Sequence, residues 1–550
     1  MACVTQANRN NFLRWQKVSG TTTLADLQAS GMLATCDFTK IDPVQDLAAE
    51  GIEDDQIQLT WTSDIEDATF DIYRSPTSGG TFTLLIAGVF GHSYTDTGLD
   101  TNTQYCYKII SKFKGLESGF SNEACATTLN SFTFSVKTDN AGDSNNDQFA
   151  LPLQAGGTYN FLVKWGDGDS DTITSHLDAA VTHTYSSTGT YEIKISGSIT
   201  GFNFANAHGD NDNTKMVTIS QWGDVKFLSN VSTFDGCSNM DLTATDAINL
   251  TGITSINNWF NDCSSLAATS ADFSGWDTSA ITDMQNTFRA CSSFNGDVSG
   301  FDTSSVTTMV DIFNGCSVFN QDIDSWDVSS VTNLTGAFRN CADFNQSINS
   351  WDVSSVTLLT LCFDGCSDFN QSLNSWDVSG VTSFQSCFRS CVAFNGNITS
   401  WDVSSGTDFA QMFFVASVFN QDISSWDISS ATTIALMFRS AAAFNQDIGG
   451  WDTSSVTTFD NTFQTASAFD QDIGGWDVTG VTTMSNMFFQ ATLSTANYDA
   501  LLVGWEGQAV QNNVTFHGGS STYTSAGAGG TARAALIADH TWSITDGGGV

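Results

Sequence analysis

The sequence has 550 residues, of which 41% are hydrophobic and 14% are charged. A chain of this length is too long for one hydrophobic core, and its hydrophobic content is that of a folded protein, so we expect several domains. Acidic residues outnumber basic residues by 59 to 18, which gives a net charge of −41. A surface this acidic repels nucleic acid phosphates and anionic membranes, which excludes both as partners. No apolar run is long enough to predict insertion into a membrane.

The first 50 residues differ in composition from the rest of the chain. They place the basic residues Arg9, Arg14 and Lys17 beside Trp15. Arginine and aromatic residues are enriched at protein interfaces, so we predict that residues 1–50 form an N-terminal segment that anchors the protein on an acidic partner. A loosely ordered tail is the alternative. The segment lacks the apolar stretch of a signal peptide, so export by the usual signal-dependent route is not predicted.

Residues 51–130 alternate apolar and polar side chains, as the strands of a β-sandwich do. Trp61 lies in a predicted second strand, and Tyr105 precedes a later one. This pattern resembles a fibronectin type III domain with Tyr105 at its tyrosine corner. The resemblance places Cys106 and Cys125 on neighbouring strands, which predicts a disulfide bond between them. Two unpaired buried cysteines are the alternative.

Residues 131–204 contain a W-G-D-G run that begins at Trp165 and an H-T-Y run that begins at His183. These markers resemble a PKD-like β-sandwich, in which the Gly-Asp-Gly run forms a structural turn. The alternative is a calcium site made by three carboxylates: Asp167, Asp169 and Asp171. Calcium is the one cofactor for which the sequence offers candidates.

A 25-residue repeat occupies residues 272–491. Tryptophan, replaced once by Phe301, recurs with this period and is always followed by aspartate, and two rows of phenylalanine keep the same spacing. The unit is close to F-N-Q-D-I-x-x-W-D-V-S-S-V-T-x-M-x-x-M-F-x-x-C/A-x-x. Three aromatic rows in strict register predict a stacked core, and an exposed strip that stacks on sugars is the alternative. The tryptophans of this predicted core are Trp326, Trp351, Trp376, Trp401, Trp426, Trp451 and Trp476.

Each unit is predicted to be one coil of a solenoid. The alternation in D-I-x-x-W-D-V predicts a short strand, and the spacing from V-T to the second phenylalanine predicts a helical turn, which is the style of a leucine-rich repeat. We expect irregular repeats and an N-terminal cap over residues 205–271 and a C-terminal cap over residues 492–550. The predicted fold class is therefore mostly β and multidomain: two β-sandwich modules followed by a leucine-rich-repeat-like solenoid of 25-residue coils.

Two polar or reactive residues of the unit have more than one interpretation. One slot holds cysteine in five successive units from Cys291 and alanine in the four units that follow, up to Ala491, which indicates a small buried position. Free thiols or disulfides between coils both fit this slot. The aspartate after each tryptophan is predicted to cap a turn through its backbone N–H groups, and a calcium ladder is the alternative.

The chain from residue 131 to its end resembles the BspA-like surface proteins of leucine-rich-repeat type. The run F-N-Q-D-I-S-S-W-D-I-S-S from Phe419, the preceding W-G-D-G module and the run W-S-I-T-D-G-G from Trp542 carry this resemblance. It implies an extracellular, adhesive or structural role and supplies no catalytic residues.

No catalytic motif occurs: the six histidines lie outside metal and nucleophile motifs, and neither a P-loop nor a dinucleotide fingerprint is present. We therefore predict a non-enzymatic interaction or structural protein, located extracellularly or on a virion. The first hypothesis is a virion appendage such as a tail fibre, spike or decoration protein. A bacterial BspA-like adhesin and a carbohydrate-binding or carbohydrate-active protein are the alternatives. Expected partners are proteins of a virion or cell surface, host glycans or proteins, and further copies of the chain.

Overall fold

The structure, a computed structural model, describes residues 40–63, 65, 67–204, 211–227 and 232–550. It divides into two compact units, Met1–Ser131 and Phe132–Val550. Most of the anchor predicted for residues 1–50 lies outside the described residues.

The first unit contains two antiparallel sheets that enclose one core. The three-stranded sheet has the order β1-β2-β5, and the second sheet has the order β4-β3-β6-β7 with β8 also paired to β6. The strands are β1 (Ala48–Glu53), β2 (Gln56–Thr60), β3 (Thr69–Ser75), β4 (Thr83–Phe90), β5 (Ser93–Thr97), β6 (Gln104–Phe113), β7 (Leu116–Glu117) and β8 (Ala124–Thr127). Trp61 and Phe70 meet between the sheets with ring centroids 5.1 Å apart. The Tyr105 hydroxyl accepts a hydrogen bond from the N–H of Asp100 at 3.2 Å. The unit is the fibronectin type III-like sandwich that the sequence predicts.

The second unit begins with a six-stranded sheet of order β12-β11-β14-β9-β15-β16 and a two-stranded sheet of β10 and β13. The strands are β9 (Phe132–Lys137), β10 (Gln148–Ala150), β11 (Tyr159–Lys164), β12 (Ser170–Ile173), β13 (Thr182–Thr184), β14 (Thr190–Ile199), β15 (Met216–Gln221) and β16 (Asp241–Leu242). Short 3₁₀ helices cover Ala179–Val181 and Asn213–Lys215. The last pair, β15 and β16, is parallel. The sheet therefore continues into the first coils without a break.

The coils contain neither of the regular elements that the sequence predicts. All of residues 243–494 that follow β16 are described, and they contain no helix and no strand. Each coil instead contributes one bridging residue to a row of parallel bridges, such as Leu358 paired with Ser383. This row lies in the V-T-x-M segment, so the strand predicted over D-I-x-x-W-D-V and the helical turn predicted after it are both wrong.

Left-handed residues explain the absence of regular elements. Two positions of each coil, four residues apart, have positive φ, as at Leu361 (58°) and Gly365 (79°). A left-handed residue interrupts both a helix and a strand. Alternate N–H groups then point at the next coil, and those of Leu359, Leu361, Phe363 and Gly365 donate to carbonyl oxygens 24 residues later at 2.8–3.1 Å.

Asparagine forms a second row of hydrogen bonds between coils. Asn320 Oδ1 accepts from the N–H of Asn345 and from Gln346 Nε2, both at 3.0 Å. Because the same contacts recur from coil to coil, they explain why the pair Asn-Gln recurs after the first phenylalanine of the unit.

Aromatic rings fill the interior of the stack. Trp351 and Trp376 stack with centroids 6.4 Å apart and planes 2° apart, while Phe363 and Phe388 lie 5.5 Å apart. The tryptophans of the row from Trp326 to Trp476 are at most 3% exposed. An exposed strip for sugar stacking does not fit this burial.

The last coil is covered by two helices and two strands. They are α1 (Thr495–Glu506), β17 (Thr515–His517), α2 (Ala528–His540) and β18 (Ser543–Thr545). Phe516 of β17 bridges to Met484, so β17 takes the place of a further coil. Trp505 of α1 continues the tryptophan row by donating its indole N–H to the carbonyl of Ile473 at 3.3 Å. Neither helix, nor any other in the described parts of the chain, has the length and apolar character needed to cross a membrane.

Candidate functional site

The candidate calcium ligands form a group whose membership differs from the prediction. Asp167, Asp169 and His183 bring ligand atoms within 4.8 Å of one another. Asp171 does not belong to this group, because its carboxylate accepts a hydrogen bond from the indole N–H of Trp165 at 2.9 Å. The β11–β12 hairpin sets this arrangement, since it holds Asp171 beside the strand that ends before Trp165.

The imidazole ring of His183 contacts the carboxylate of Asp167. Its Nε2 lies 2.8 Å from Asp167 Oδ2, and its ring stacks on Trp165 at 4.7 Å. Burial raises the pKa of Asp167, but the hydrogen bonds from His183 and from the N–H of Asp169 outweigh it, so the pKa is lowered. The contact between Asp167 and His183 joins the W-G-D-G turn to β13. Calcium binding by Asp167, Asp169 and His183 stays a prediction.

The cysteines fall into two classes. Cys106 and Cys125 face each other on β6 and β8 and are joined as a disulfide. The cysteines described in the coils are free and buried. A typical one, Cys316, directs its Sγ at the carbonyl oxygen of Phe288 at 2.9 Å, and burial raises the pKa of its thiol. These thiols therefore serve as small core residues with a weak hydrogen bond.

One side of the stack presents the same side chains in every coil. We call it the turn face, and it consists of the exposed Asp, Ser and Thr residues of W-D-V-S-S-V-T. Asp352 Oδ1 accepts hydrogen bonds from the Ser354 N–H at 3.1 Å and from the Ser354 hydroxyl at 2.6 Å. The hydroxyl bond is the main reason that the pKa of Asp352 is lowered. The aspartate thus caps a turn.

A hollow of about 500 Å³ interrupts the turn face. It is lined by Asp324, Ser347, Asn349, Ser350, Trp351, Asp352, Ser375 and Asp377. Its side chains are tied together, since Ser350 donates to Asp324 at 2.6 Å and Asn349 donates to Ser375 at 2.9 Å. The hollow offers hydroxyl, amide and carboxylate groups to a ligand.

The surface beside the bridging residues differs from the turn face, because its side chains vary from coil to coil. We call it the ladder face, and it consists of the positions equivalent to Ala410, Gln411, Phe414, Val415 and Val418 in each coil. These positions are the variable ones of the unit, and most of them are partly or largely exposed, although Asp364 and Ser386 are buried. The position of Phe414 is filled, from the first coil to the last, by Arg289, Asn314, Arg339, Asp364, Arg389, Phe414, Arg439, Gln464 and Phe489. The ladder face is therefore the surface of the stack on which the side chains differ from coil to coil.

All the basic residues of the coils occupy this one row. Residues 272–491 contain no lysine, and their arginines lie two coils apart: Arg289, Arg339, Arg389 and Arg439. Asp364, whose side chain is 3% exposed, accepts hydrogen bonds from Arg389 at 2.7 and 2.9 Å and from Arg339 at 3.3 Å. This row was not predicted from the sequence, although the 50-residue period of arginine indicates it.

The fold and these surfaces define a modular, mostly β protein that presents a long repetitive surface. The family model described as "Mycoplasma protein of unknown function, DUF285" matches three overlapping stretches, residues 254–373, 332–447 and 425–525. The repeat coils are therefore similar to that family over just under half of the chain. No curated protein matches the chain.

Solved structures resemble shorter parts of the chain. An Fn3-like protein from Clostridium thermocellum is 28% identical over 16% of this chain and 94% of its own, with a TM-score of 0.15. A structure of titin kinase and its flanking domains is 21% identical over 16% of this chain and 17% of its own, with a TM-score of 0.15. The FN1–FN3 domains of chicken CNTN1 are 12% identical over 29% of this chain and 55% of their own, with a TM-score of 0.17.

Proposed function

We propose that this protein is a non-enzymatic, BspA-like surface interaction protein whose coils display the ladder face to a partner. The observation that carries the proposal is the division of the stack into a uniform turn face and a variable ladder face. A stack needs uniform residues to hold its coils together, whereas the variable residues are free to serve recognition. The placement of all four coil arginines on the ladder face supports this assignment.

The carboxylates of the coils support a role without catalysis. On the turn face they cap turns, as Asp327 does for Ser329 and Asp402 does for Ser404. On the ladder face Asp364 is neutralised by two arginines. General acid–base catalysis needs a carboxyl group whose pKa lies near the working pH, whereas hydrogen bonds from Ser329 and Ser404 lower the pKa of Asp327 and Asp402.

We propose a virion appendage, such as a tail fibre, spike or decoration protein, as the setting of this function. Its support is the continuous hydrogen bonding from the β15–β16 pair through the coils to β17, which suits a rigid spacer. A bacterial surface adhesin is the alternative setting. Mass spectrometry of purified virions from the source tests the first, and protease shaving of intact source cells tests the second. Peptides of this chain in virions support the appendage, and peptides released only from cells support the adhesin. Absence from both surfaces would overturn the interaction role.

Carbohydrate binding is a second candidate, because the hollow on the turn face offers hydroxyl, amide and carboxylate groups together. A glycan array probed with the full chain tests it. Asn349→Ala should abolish a signal that comes from this hollow, whereas Asn374→Ala, the same substitution one coil later, should preserve it. An unchanged signal in the Asn349 variant would remove the hollow from consideration.

A further inference from the structure

Two adjacent coils of the ladder face contain aliphatic residues at left-handed positions, which the backbone disfavours. Val415 and Leu436 both have φ of 62°. The equivalent positions elsewhere include Gly365, Asn340 and Thr465 for Val415, and Asn461 and Leu361 for Leu436. Glycine and asparagine suit the left-handed region, while a β-branched residue there is a genuine outlier. Unfavourable backbone geometry of this kind concentrates at functional sites.

Burial does not account for these residues. Val415 and Leu436 are only partly buried, and neither belongs to the buried core of the coils. Phe414, beside Val415, is also partly buried, in a row that is otherwise mostly polar. Val418 is 44% exposed. We call Phe414, Val415, Val418, Leu436 and Arg439 the 414 patch.

Arg439 differs from the other arginines of its row. Arg339 and Arg389 pair with Asp364, and Arg289 donates to Asn261 at 3.2 Å. Arg439 makes no ion pair or side-chain hydrogen bond with the described part of the chain, and its guanidinium lies over the Phe414 ring at 5.2 Å. In a chain with 59 acidic residues, an arginine without a carboxylate partner is available to a carboxylate from outside.

The chemistry of the 414 patch favours a protein partner over an acidic sugar. Three of its five residues are aliphatic, and such residues bury the apolar side chains of proteins better than the hydroxyl-rich faces of sugars. Arginine and aromatic residues together are typical of the centres of protein interfaces. The guanidinium of Arg439 complements a negative charge, whereas most of the chain's surface repels one.

We propose that the 414 patch binds a segment of a partner protein that presents an apolar side chain close to a carboxylate. The proposal rests on the surface interaction function and deepens it by naming the class of partner. The apolar side chain packs on the aliphatic residues of the patch, and the carboxylate meets the guanidinium of Arg439.

The probe is an array of acetylated octapeptides of Ser and Gly, each with one Leu or Phe placed one to four residues from one Glu. A matched set carries Lys in place of Glu. The full-length chain should bind the Glu set about tenfold better than the Lys set, and Arg439→Glu should reverse that preference. Equal binding to the two sets, or binding to neither, would overturn the proposal. Binding to an array of uronic and sialic acid glycans that depends on Arg439, without peptide preference, would overturn it in favour of sugars.

A second measurement separates recognition from structure. Val415→Asn and Leu436→Asn should raise the melting temperature, because asparagine relieves the left-handed backbone, and should lower binding to the Glu set about tenfold. Leu361→Asn is the matched control, since Leu361 has φ of 58° three coils before Leu436. It should raise the melting temperature and leave binding unchanged. A lower melting temperature in the two patch variants would assign them to packing. None of these outcomes depends on whether the protein is found on virions or cells, so the two proposals fail separately.

Discussion

The indole Nε1 of Trp376 donates a hydrogen bond to the carbonyl oxygen of Ile348, in the preceding coil, at 2.9 Å. Trp351 and Trp401 make the same contact with the coils before them, at 3.0 and 2.8 Å. Each of these three tryptophans therefore fills the core of its own coil and donates to a buried backbone acceptor of its neighbour. This double role explains why the residue recurs with so little variation.

Trp376 and Trp426 provide a matched test of this hydrogen bond. Both are 3% exposed, but the Nε1 of Trp426 has no hydrogen-bond partner among the residues that the structure describes. Replacing either by Phe, the residue that occupies this slot at position 301, removes similar volume. The Ile348 carbonyl also accepts from the Trp351 N–H at 3.3 Å, so Trp376→Phe removes one of its two hydrogen bonds. It should cost about 0.5–1.5 kcal/mol more than Trp426→Phe. Urea unfolding of both variants measures the difference, and equal losses would show that the bond contributes nothing.

The stack predicts different outcomes for two deletions. Removing 25 residues, Asp324 to Ile348, joins equivalent positions and should leave a folded stack that is one coil shorter. Removing 12 residues from Asp324 places core positions on the surface and should abolish cooperative melting. Circular dichroism and thermal melting compare the two. Similar behaviour of both variants would contradict the coil assignment.

A buried ion pair stabilises the sheet that leads into the coils. Lys215 and Asp212 are fully buried with Nζ and Oδ1 3.6 Å apart, and Nζ also donates to the Ser144 hydroxyl at 2.6 Å. Lys215→Met leaves the Asp212 charge buried without its partner and should cost about 3–5 kcal/mol in urea unfolding. The exposed Lys226 gives the control, because Lys226→Met should change stability by less than about 0.5 kcal/mol. Equal small effects would contradict the role of the pair.

Acid should weaken the turn caps. Hydrogen bonds from serine hydroxyls lower the pKa of Asp327, Asp352 and Asp402 in the folded chain. The stability that they contribute is present above the unfolded-state pKa of about 3.9 and is lost as the pH falls through the lower folded-state values. The triple Asn variant keeps the acceptors but not the charges. The melting temperature of the wild type should exceed that of this variant at neutral pH, and the difference between the two melting temperatures should shrink as the pH is lowered. A difference that grows at low pH would contradict the caps.

The core residues of the coils could be predicted from the sequence because they repeat. The backbone conformation of the coils could not. Strict spacing of Trp376 and its equivalents identifies the rows that face inward, whatever the local backbone. The left-handed residues escaped prediction because their positions accept Leu361 and Val415 as well as glycine. Alternation around the tryptophan therefore suggested a strand in a segment that the structure leaves irregular.

The ladder face was not predicted for a related reason. Its positions vary from coil to coil, and such variation carries no packing signal that a sequence pattern could reveal. The group at Asp167 shows the same limit on a small scale. Sequence proximity suggested Asp171 as the third ligand, whereas the hairpin turns Asp171 toward Trp165 and strand pairing brings in His183.

The most direct test of the account compares the two faces in one binding measurement. Flow cytometry with fluorescent full-length protein, applied to cells of the source or its host, measures affinity for the natural surface. The double variant Phe414→Ala/Arg439→Glu should lose at least about tenfold in affinity, while the turn-face variant Asp327→Asn/Asp352→Asn/Asp402→Asn should bind like wild type. Full binding by the ladder-face variant together with loss in the turn-face variant would contradict the central claim that the ladder face meets the partner.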